Sequence, residues 1–334
     1  MALCNFCIVL FCDNIVTKLF FSCKPVQYVI EYSICVTNFN PYNCTTMKYM
    51  EYRWKASDYI SYINQINHAF ENAGIESARF EAEQIVMHFT AGKKQKASTG
   101  ELLSDSQIED IEEAVSRRLG GEPLQYILGE WEFYSHRIFV GKGVLIPRPE
   151  TELLVDAVLE FIAESDNKSP DILDIGAGSG NISIAIAKKV PGARITALER
   201  SKAAVKYLKK NLTYHGLKEK VEILCRDLSK IPKESFDIIV SNPPYLNNID
   251  MKNLQREVRF EPVEALYGGY DGLAYYDDIV NLYKGSLNDG GIFAFEIGAG
   301  QHEEVAAILV KAKFTNITVY EDLNGVKRVI VTKK

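Results

Sequence analysis

The segment Phe236-Asp237-Ile238-Ile239-Val240-Ser241-Asn242-Pro243-Pro244-Tyr245 runs an apolar strand straight into an amide, two prolines and an aromatic ring. Each proline fixes its own φ, lacks an N–H and biases the preceding residue toward extended geometry, so Asn242 is expected to sit rigidly at the strand end. The Asn242 carboxamide oxygen and the Pro243 carbonyl are then two neighbouring acceptors that can grip both hydrogens of a planar amino or amide group. Tyr245 can stack its ring on that planar group. The alternative for the tetrapeptide taken alone is a rigid turn that merely closes a strand, since Asn and Pro are common turn formers.

A second chemical segment, Asp174-Ile175-Gly176-Ala177-Gly178-Ser179-Gly180, follows an apolar run and opens a helical pattern. Glycines there permit a tight turn and close backbone approach, and the helix start offers N–H groups to an anionic ligand. Glu199 ends the next apolar run, nineteen residues beyond Gly180, where an acid commonly accepts from ribose hydroxyls. Nicotinamide and adenosyl cofactors both fit this much. The spacing G-x-G-x-G after an aspartate, in place of G-x-G-x-x-G, favours S-adenosyl-L-methionine. Asp227 and Leu228 end a third apolar run, where Asp227 can accept from an adenine amine and Leu228 can pack on the ring; the alternative for Asp227 is a turn cap. No Ser/His/Asp or Cys/His arrangement stands out, and no metal is expected.

The elements that must position these groups alternate. From residue 171 onward, apolar strands alternate with amphipathic helices, which predicts a doubly wound, mainly parallel α/β sheet. Helices are predicted over Asn181 to Lys189, Lys202 to Tyr214, Tyr275 to Leu287 and Glu303 to Lys313. Strands are predicted over 172–175, 195–198, 221–225, 238–240, 292–297, 317–320 and 326–332. The last two are joined by Asn324-Gly325, a hairpin signal that makes one edge antiparallel. Ligands in such sheets bind beyond the carboxyl ends of the strands, so Asn242 and the glycine loop are expected to open onto one crevice.

Ahead of this lie three predicted amphipathic helices: one capped by Ser57 or Asp58 with Ile60, Ile63, Ile66 and Phe70 inward, one from Glu76 to Phe89, and one from the Ser104 to Ser106 caps to the Gly120-Gly121 stop. Residues 122–150 read as a β-hairpin linker, and Thr151 is expected to cap the following helix. The expected organisation is thus 1–46 an atypical Cys-rich extension, 47–121 a helical docking domain, 122–150 a linker and 151–334 the cofactor domain.

With 334 residues, 47% of them hydrophobic, the chain can bury a large core. A net charge of −6 and an excess of acids over Lys and Arg between Arg53 and Leu119 argue against direct nucleic-acid binding. No segment suits a membrane span. Six of the seven cysteines fall in the first 46 residues, and the body has no disulfide framework, which points to a reducing compartment: the cytoplasm, or an organelle.

Asn242 to Tyr245 and Gly176 to Gly180, joined by Pro147-Arg148-Pro149-Glu150, Arg259-Phe260-Glu261-Pro262 and Asp271-Gly272, resemble the release factor glutamine methyltransferases of the PrmC/HemK family over about residues 50–334. The resemblance implies a Rossmann-like class I S-adenosylmethionine-dependent methyltransferase sheet with a small N-terminal helical bundle. It implies a reaction that methylates the side-chain amide nitrogen of the glutamine in the Gly-Gly-Gln motif of peptide-chain release factors. It also implies that Gly176, Ala177, Gly178, Ser179, Gly180, Glu199, Asp227, Leu228 and Asn242 hold the cofactor, while Asn242, Pro243, Pro244 and Tyr245 frame the glutamine amide. Some relatives carry an aromatic residue at the position of Leu228. Asn-Pro-Pro-Tyr also occurs in adenine and guanine amino methyltransferases of nucleic acids, which is the alternative function. Residues 1–46 have no counterpart in the family pattern and are expected to reflect an early start codon, with Met47 or Met50 as the true beginning. Sequencing of the natural protein is expected to recover no peptide from Cys4 to Cys44; recovery of one would contradict this.

Overall fold

A computed structural model describes residues 59–90 and 103–334. The expectations for residues 1–46 and for the Ser57/Asp58 cap lie outside the described residues. Helices α1 (Tyr59–Asn72), α2 (Ala78–Phe89) and α3 (Asp105–Leu119) bury Phe70, Ile85 and Ile111 in one apolar core. Ile63, Ile66 and Phe70 point inward as predicted, but Ile60 is exposed and Tyr62 is buried instead. At 100° per residue Ile60 lies roughly 120° around the helix from the stripe centred on Ile66, whereas Tyr62 falls on its edge. Ser104 caps α3 through a reciprocal box: its hydroxyl accepts from the Gln107 N–H and its own N–H donates to Gln107 Oε1.

The segment 122–150 is more than a hairpin. It opens with a one-turn helix, α4 (Leu124–Leu128), that Pro123 starts and Gly129 (φ 73°) ends. Leu124 and Ile127 bury into the core of the helical bundle, which is what draws this short segment into a helix. The hairpin follows as β1 (Glu130–Phe133) paired antiparallel with β2 (His136–Phe139).

After α5 (Glu152–Glu164), β3 (Asp171–Ile175), α6 (Asn181–Lys189), β4 (Arg194–Leu198), α7 (Lys202–His215), β5 (Val221–Leu224), β6 (Phe236–Ser241), α8 (Ala274–Tyr283), β7 (Leu287–Glu296), α9 (His302–Lys311), β8 (Asn316–Glu321) and β9 (Lys327–Lys333) build a seven-stranded sheet of order β5-β4-β3-β6-β7-β9-β8. The first five strands are parallel, and β9 runs antiparallel between β7 and β8. The predicted helix to Leu287 ends four residues early, because Leu287 pairs with Phe236 and begins β7. Alternate residues face opposite layers. Ile172, Ile238 and Ile292 pack with helices α5 to α7, and Leu173, Ile239 and Phe293 pack with α8 and α9. Among the described residues no helix is long and apolar enough to cross a membrane.

A buried ion network ties the bundle to the segment after β6. The Arg118 guanidinium on α3 donates to both oxygens of Glu81 on α2 and, through Nη1, to Glu257 at 2.8 Å. Arg118 and Glu81 are both buried, so removing one partner strands a charge. Arg118→Met is expected to cost roughly 3–5 kcal/mol in thermal or denaturant unfolding. Adding Glu81→Met should recover most of that loss; no recovery would show that the pair is not what the bundle leans on.

Candidate active site

One register row fixes the site. Leu198 of β4, Ile175 of β3, Ser241 of β6 and Phe295 of β7 are successive cross-strand partners. The next residue on each strand is therefore level with its neighbours: Glu199, Gly176, Asn242 and Glu296, side by side at the carboxyl edge of the sheet. The Ser241 hydroxyl donates to the Ile175 carbonyl at 2.7 Å and ties the two central strands where they diverge.

At β3 the chain turns through Gly176 (φ 75°), Gly178 (φ 56°) and Gly180 (φ 84°), a left-handed sequence that side chains with a Cβ rarely adopt. The turn is held internally. The N–H groups of Gly176 and Ala177 donate to the Leu198 carbonyl, that of Gly180 to Ala177, and that of Gly178 to Glu199 Oε2 at 2.9 Å. These loop amides are thus occupied, whereas the donors expected for an anionic ligand are those of the helix start, which begins beyond the loop at Asn181. What the loop offers instead is space: a Cβ built on Gly176 would meet nothing within 4 Å and one on Gly178 only the Gly176 carbonyl oxygen at 3.8 Å. Gly180 has a packing role, since a Cβ there would collide with Leu208. Ala177 and Ser179 are buried. Glu199 accepts from Gly178 and, through Oε1, from the Ser201 N–H at 2.6 Å, and two of its four lone-pair sites remain.

Asp174, one residue before the row, is 1% exposed. Burial raises its carboxyl to about 7, and the Ser183 hydroxyl at 2.6 Å only partly opposes this. Its Oδ1 is buried without a hydrogen-bond partner among the described residues. Asp227 is exposed and accepts from the Ser229 N–H at 3.0 Å, the turn-cap arrangement, which holds its carboxyl below the usual range. Leu228 packs partly buried against the α8/α9 side of the sheet, and its carbonyl accepts from the Tyr283 hydroxyl.

Asn242, Pro243 and Tyr245 line a cavity of about 350 Å³ together with Leu145, Arg148 and Leu266. Asn242 Nδ2 donates to the Thr151 hydroxyl oxygen at 3.1 Å, which turns the carboxamide oxygen away from Thr151. Thr151 does not cap α5 as expected. It sits in a 3-10 turn, Pro149–Thr151, with no capping bond, and its hydroxyl is committed to Asn242. The Tyr245 hydroxyl donates to Glu296 Oε1 at 3.4 Å, and burial raises this phenol well above its ordinary value. Behind Pro244 and Tyr245 the packing admits only glycine: a Cβ on Gly268 would sit 2.5 Å from the Pro244 carbonyl oxygen, and one on Gly272 would collide with the Tyr245 carbonyl. Gln301 donates to that same carbonyl at 3.1 Å.

The two distant Arg/Glu/Pro motifs meet at the cavity rim. Arg148 pairs with Glu261, whose second oxygen accepts from the Ile146 N–H at 3.0 Å. Thr151, Glu296 and Gln301 are the site residues that the sequence left unmarked; their only signal was proximity to the Pro149-Glu150 motif and to strand ends.

A parallel β5-β4-β3-β6-β7 core, an antiparallel β9-β8 edge and an aspartate-glycine loop after the first central strand define a class I methyltransferase. Residues 150–261 match the family model described as the Methyltransferase small domain, and residues 61–129 match that of the PrmC N-terminal domain. A release factor glutamine methyltransferase of Thermodesulfovibrio yellowstonii is 40% identical over 257 residues, covering 76% of this chain and 92% of that protein. One from Chlorobaculum tepidum is 38% identical over 235 residues, covering 68% of this chain and 79% of its own length. The chain belongs to the release factor glutamine methyltransferase family. A solved protein-(glutamine-N5) methyltransferase from Alicyclobacillus acidocaldarius aligns with 57% of this chain and 94% of its own, at 27% identity and a TM-score of 0.36.

The raised Asp174 carboxyl has a consequence for stability. Between the ordinary carboxylate value of about 4 and its folded value of about 7, the native state keeps a proton that the unfolded chain has lost, so stability falls as pH rises through that window. Melting curves of the ligand-free protein are expected to shift down from pH 5 to pH 8, and less so in Asp174→Asn. An equal shift in both proteins would contradict the assignment.

Proposed function

We propose that this chain methylates the side-chain amide nitrogen of the glutamine in the Gly-Gly-Gln motif of peptide-chain release factors, with S-adenosyl-L-methionine as donor. The observation that carries the reading is the Asn242 carboxamide: its N–H2 end is tied to Thr151 and its oxygen is left for a donor in the cavity beside Tyr245. An acceptor pair at Asn242 and Pro243 selects a planar nitrogen bearing two hydrogens, with Pro244 and Tyr245 as walls.

The residues present fit the cofactor. Open space lies before Gly176 and Gly178, Glu199 keeps lone pairs for hydroxyls, and the unpartnered Asp174 Oδ1 suits a nearby amine. Gly176, Ala177, Gly178, Ser179 and Gly180 with Glu199, Asp227, Leu228 and Asn242 would hold it. When bound, S-adenosylmethionine supplies an electrophilic methyl group whose bonding electrons remain with sulfur. An amide nitrogen is a weak nucleophile, so positioning by Asn242 and Pro243 must supply much of the rate, on the order of 7–11 kcal/mol in favourable cases. The same acceptors stabilise positive charge growing on the nitrogen, and the departing amide proton goes to water without a base acting first.

In this reading residues 47–121 dock the factor, 122–150 link, and 151–334 carry the chemistry. The partner is a protein rather than nucleic acid or membrane, which the acidic balance supports. Labelled donor offered with release factor, tRNA, rRNA and DNA should mark release factor alone; label in nucleic acid would turn the assignment to the nucleobase alternative. Asn242→Ala should lower turnover by roughly 100-fold or more with little change in donor affinity, and unchanged turnover would refute the clamp.

A further inference from the structure

We propose that Arg256 and Glu257 are positioning residues for amide methylation: through them the helical bundle holds one wall of the amide cavity, so the bundle serves the chemical step as well as docking the factor. This rests on the function proposed above and adds two side chains that lie outside the cavity lining.

The wall is irregular chain. Between Leu246 and Leu266 the backbone forms three 3-10 turns, Asp250–Lys252, Val258–Phe260 and Val263–Ala265, and neither an α-helix nor a strand. Such a segment has no hydrogen-bonded ladder of its own to fix its path, so its shape is set by the points at which other elements hold it. It nonetheless forms part of the site: Leu254, Gln255 and Val258 line the same cavity as Asn242, Pro243 and Tyr245.

Three sets of contacts hold it. Its ends close on each other beside the clamp, where the Leu246 N–H donates to the Leu266 carbonyl and the Gly268 N–H to the Leu246 carbonyl, both at 2.9 Å. Toward its far end the buried Glu261 carboxylate accepts from the Ile146 N–H and from Arg148. Its middle is gripped from the bundle: Glu257 Oε1 accepts from Arg118 Nη1 at 2.8 Å, and Arg256 Nη2 donates to the Leu119 carbonyl at 2.9 Å. A Cβ on Gly121 would collide with the Arg256 side chain, so the glycine that follows α3 also makes room for this contact. The two gripped residues fall between Gln255 and Val258, both of which line the cavity.

Charge balance does not call for Glu257. The buried Glu81 carboxylate already neutralises Arg118 and takes donors from two of its nitrogens, and Glu257 adds a third, partly exposed contact. What that contact supplies is position. Methylation of a weakly nucleophilic amide depends on alignment, and a displacement of about 1 Å passed on from a remote contact can lower a rate on the order of 100-fold. A wall released at Arg256 and Glu257 would leave the bound amide free to turn off the line of attack.

The test uses the full chain with saturating donor and release factor at varied concentration. Arg256→Ala combined with Glu257→Ala should lower kcat roughly 10- to 100-fold while moving donor affinity and the KM for release factor by no more than about twofold. Arg256→Lys combined with Glu257→Gln keeps a donor for the Leu119 carbonyl and an acceptor for Arg118, and should recover most of the lost kcat. A bundle that only docks the factor gives the reverse pattern, a raised KM with kcat unchanged. That pattern, or equal kcat for the alanine and the conservative pairs, would overturn the proposal. If the double alanine variant does not fold, Arg256→Ala and Glu257→Ala taken singly, each compared with its conservative counterpart, decide the matter by the same criteria. Wild-type protein that fails to methylate release factor would instead refute the function on which the proposal rests.

Discussion

Everything in the site depends on one constraint: the parallel register that brings Leu198, Ile175, Ser241 and Phe295 into a single row. Parallel strands all end on the same side, so the residue after each row member emerges at one edge without any loop having to be aimed. Glu199, Gly176, Asn242 and Glu296 become neighbours although the chain separates them widely. A slip of one residue on β6 would move Asn242 out of line and turn Ile238 and Val240 from one layer to the other, which the two apolar cores forbid. Packing energy spread over the whole sheet thus fixes the alignment of these four positions.

Around that row the structure spends stability on precision. Two carboxyls, Asp174 and Glu296, are buried where their ionised forms are disfavoured, and each keeps an oxygen without a partner among the described residues. The glycines behind Tyr245 leave its backbone no room to shift, and the two prolines between Asn242 and Tyr245 remove the remaining freedom. Such local costs are characteristic of sites that must hold a geometry before the substrate arrives.

The parts legible in the sequence are those whose physics is local. Asn242-Pro243-Pro244-Tyr245 and the glycine loop declare themselves because the residues that stiffen or open the backbone are adjacent to those that do the chemistry. The alternating core follows from apolar runs and turn signals, and only its boundaries shift, as at Leu287. The rest depends on contacts over long separations. Thr151 looked like a helix cap because the residues that follow it are helical; its true partner is 91 positions away. Glu296 meets Tyr245 across 51 positions and Arg148 meets Glu261 across 113, and a single sequence carries no signal for such pairings. Ile60 and α4 were missed for a related reason, since both depend on where the bundle's core stripe lies rather than on their own composition.

The most direct test of the account is tandem mass spectrometry of a release factor incubated with this protein and S-adenosylmethionine, in parallel with Asn242→Ala. The account predicts a single added methyl group on the side-chain nitrogen of the Gly-Gly-Gln glutamine with the wild-type protein and none with the variant. An unmodified glutamine, a methyl group on another residue, or equal modification by the variant would contradict it.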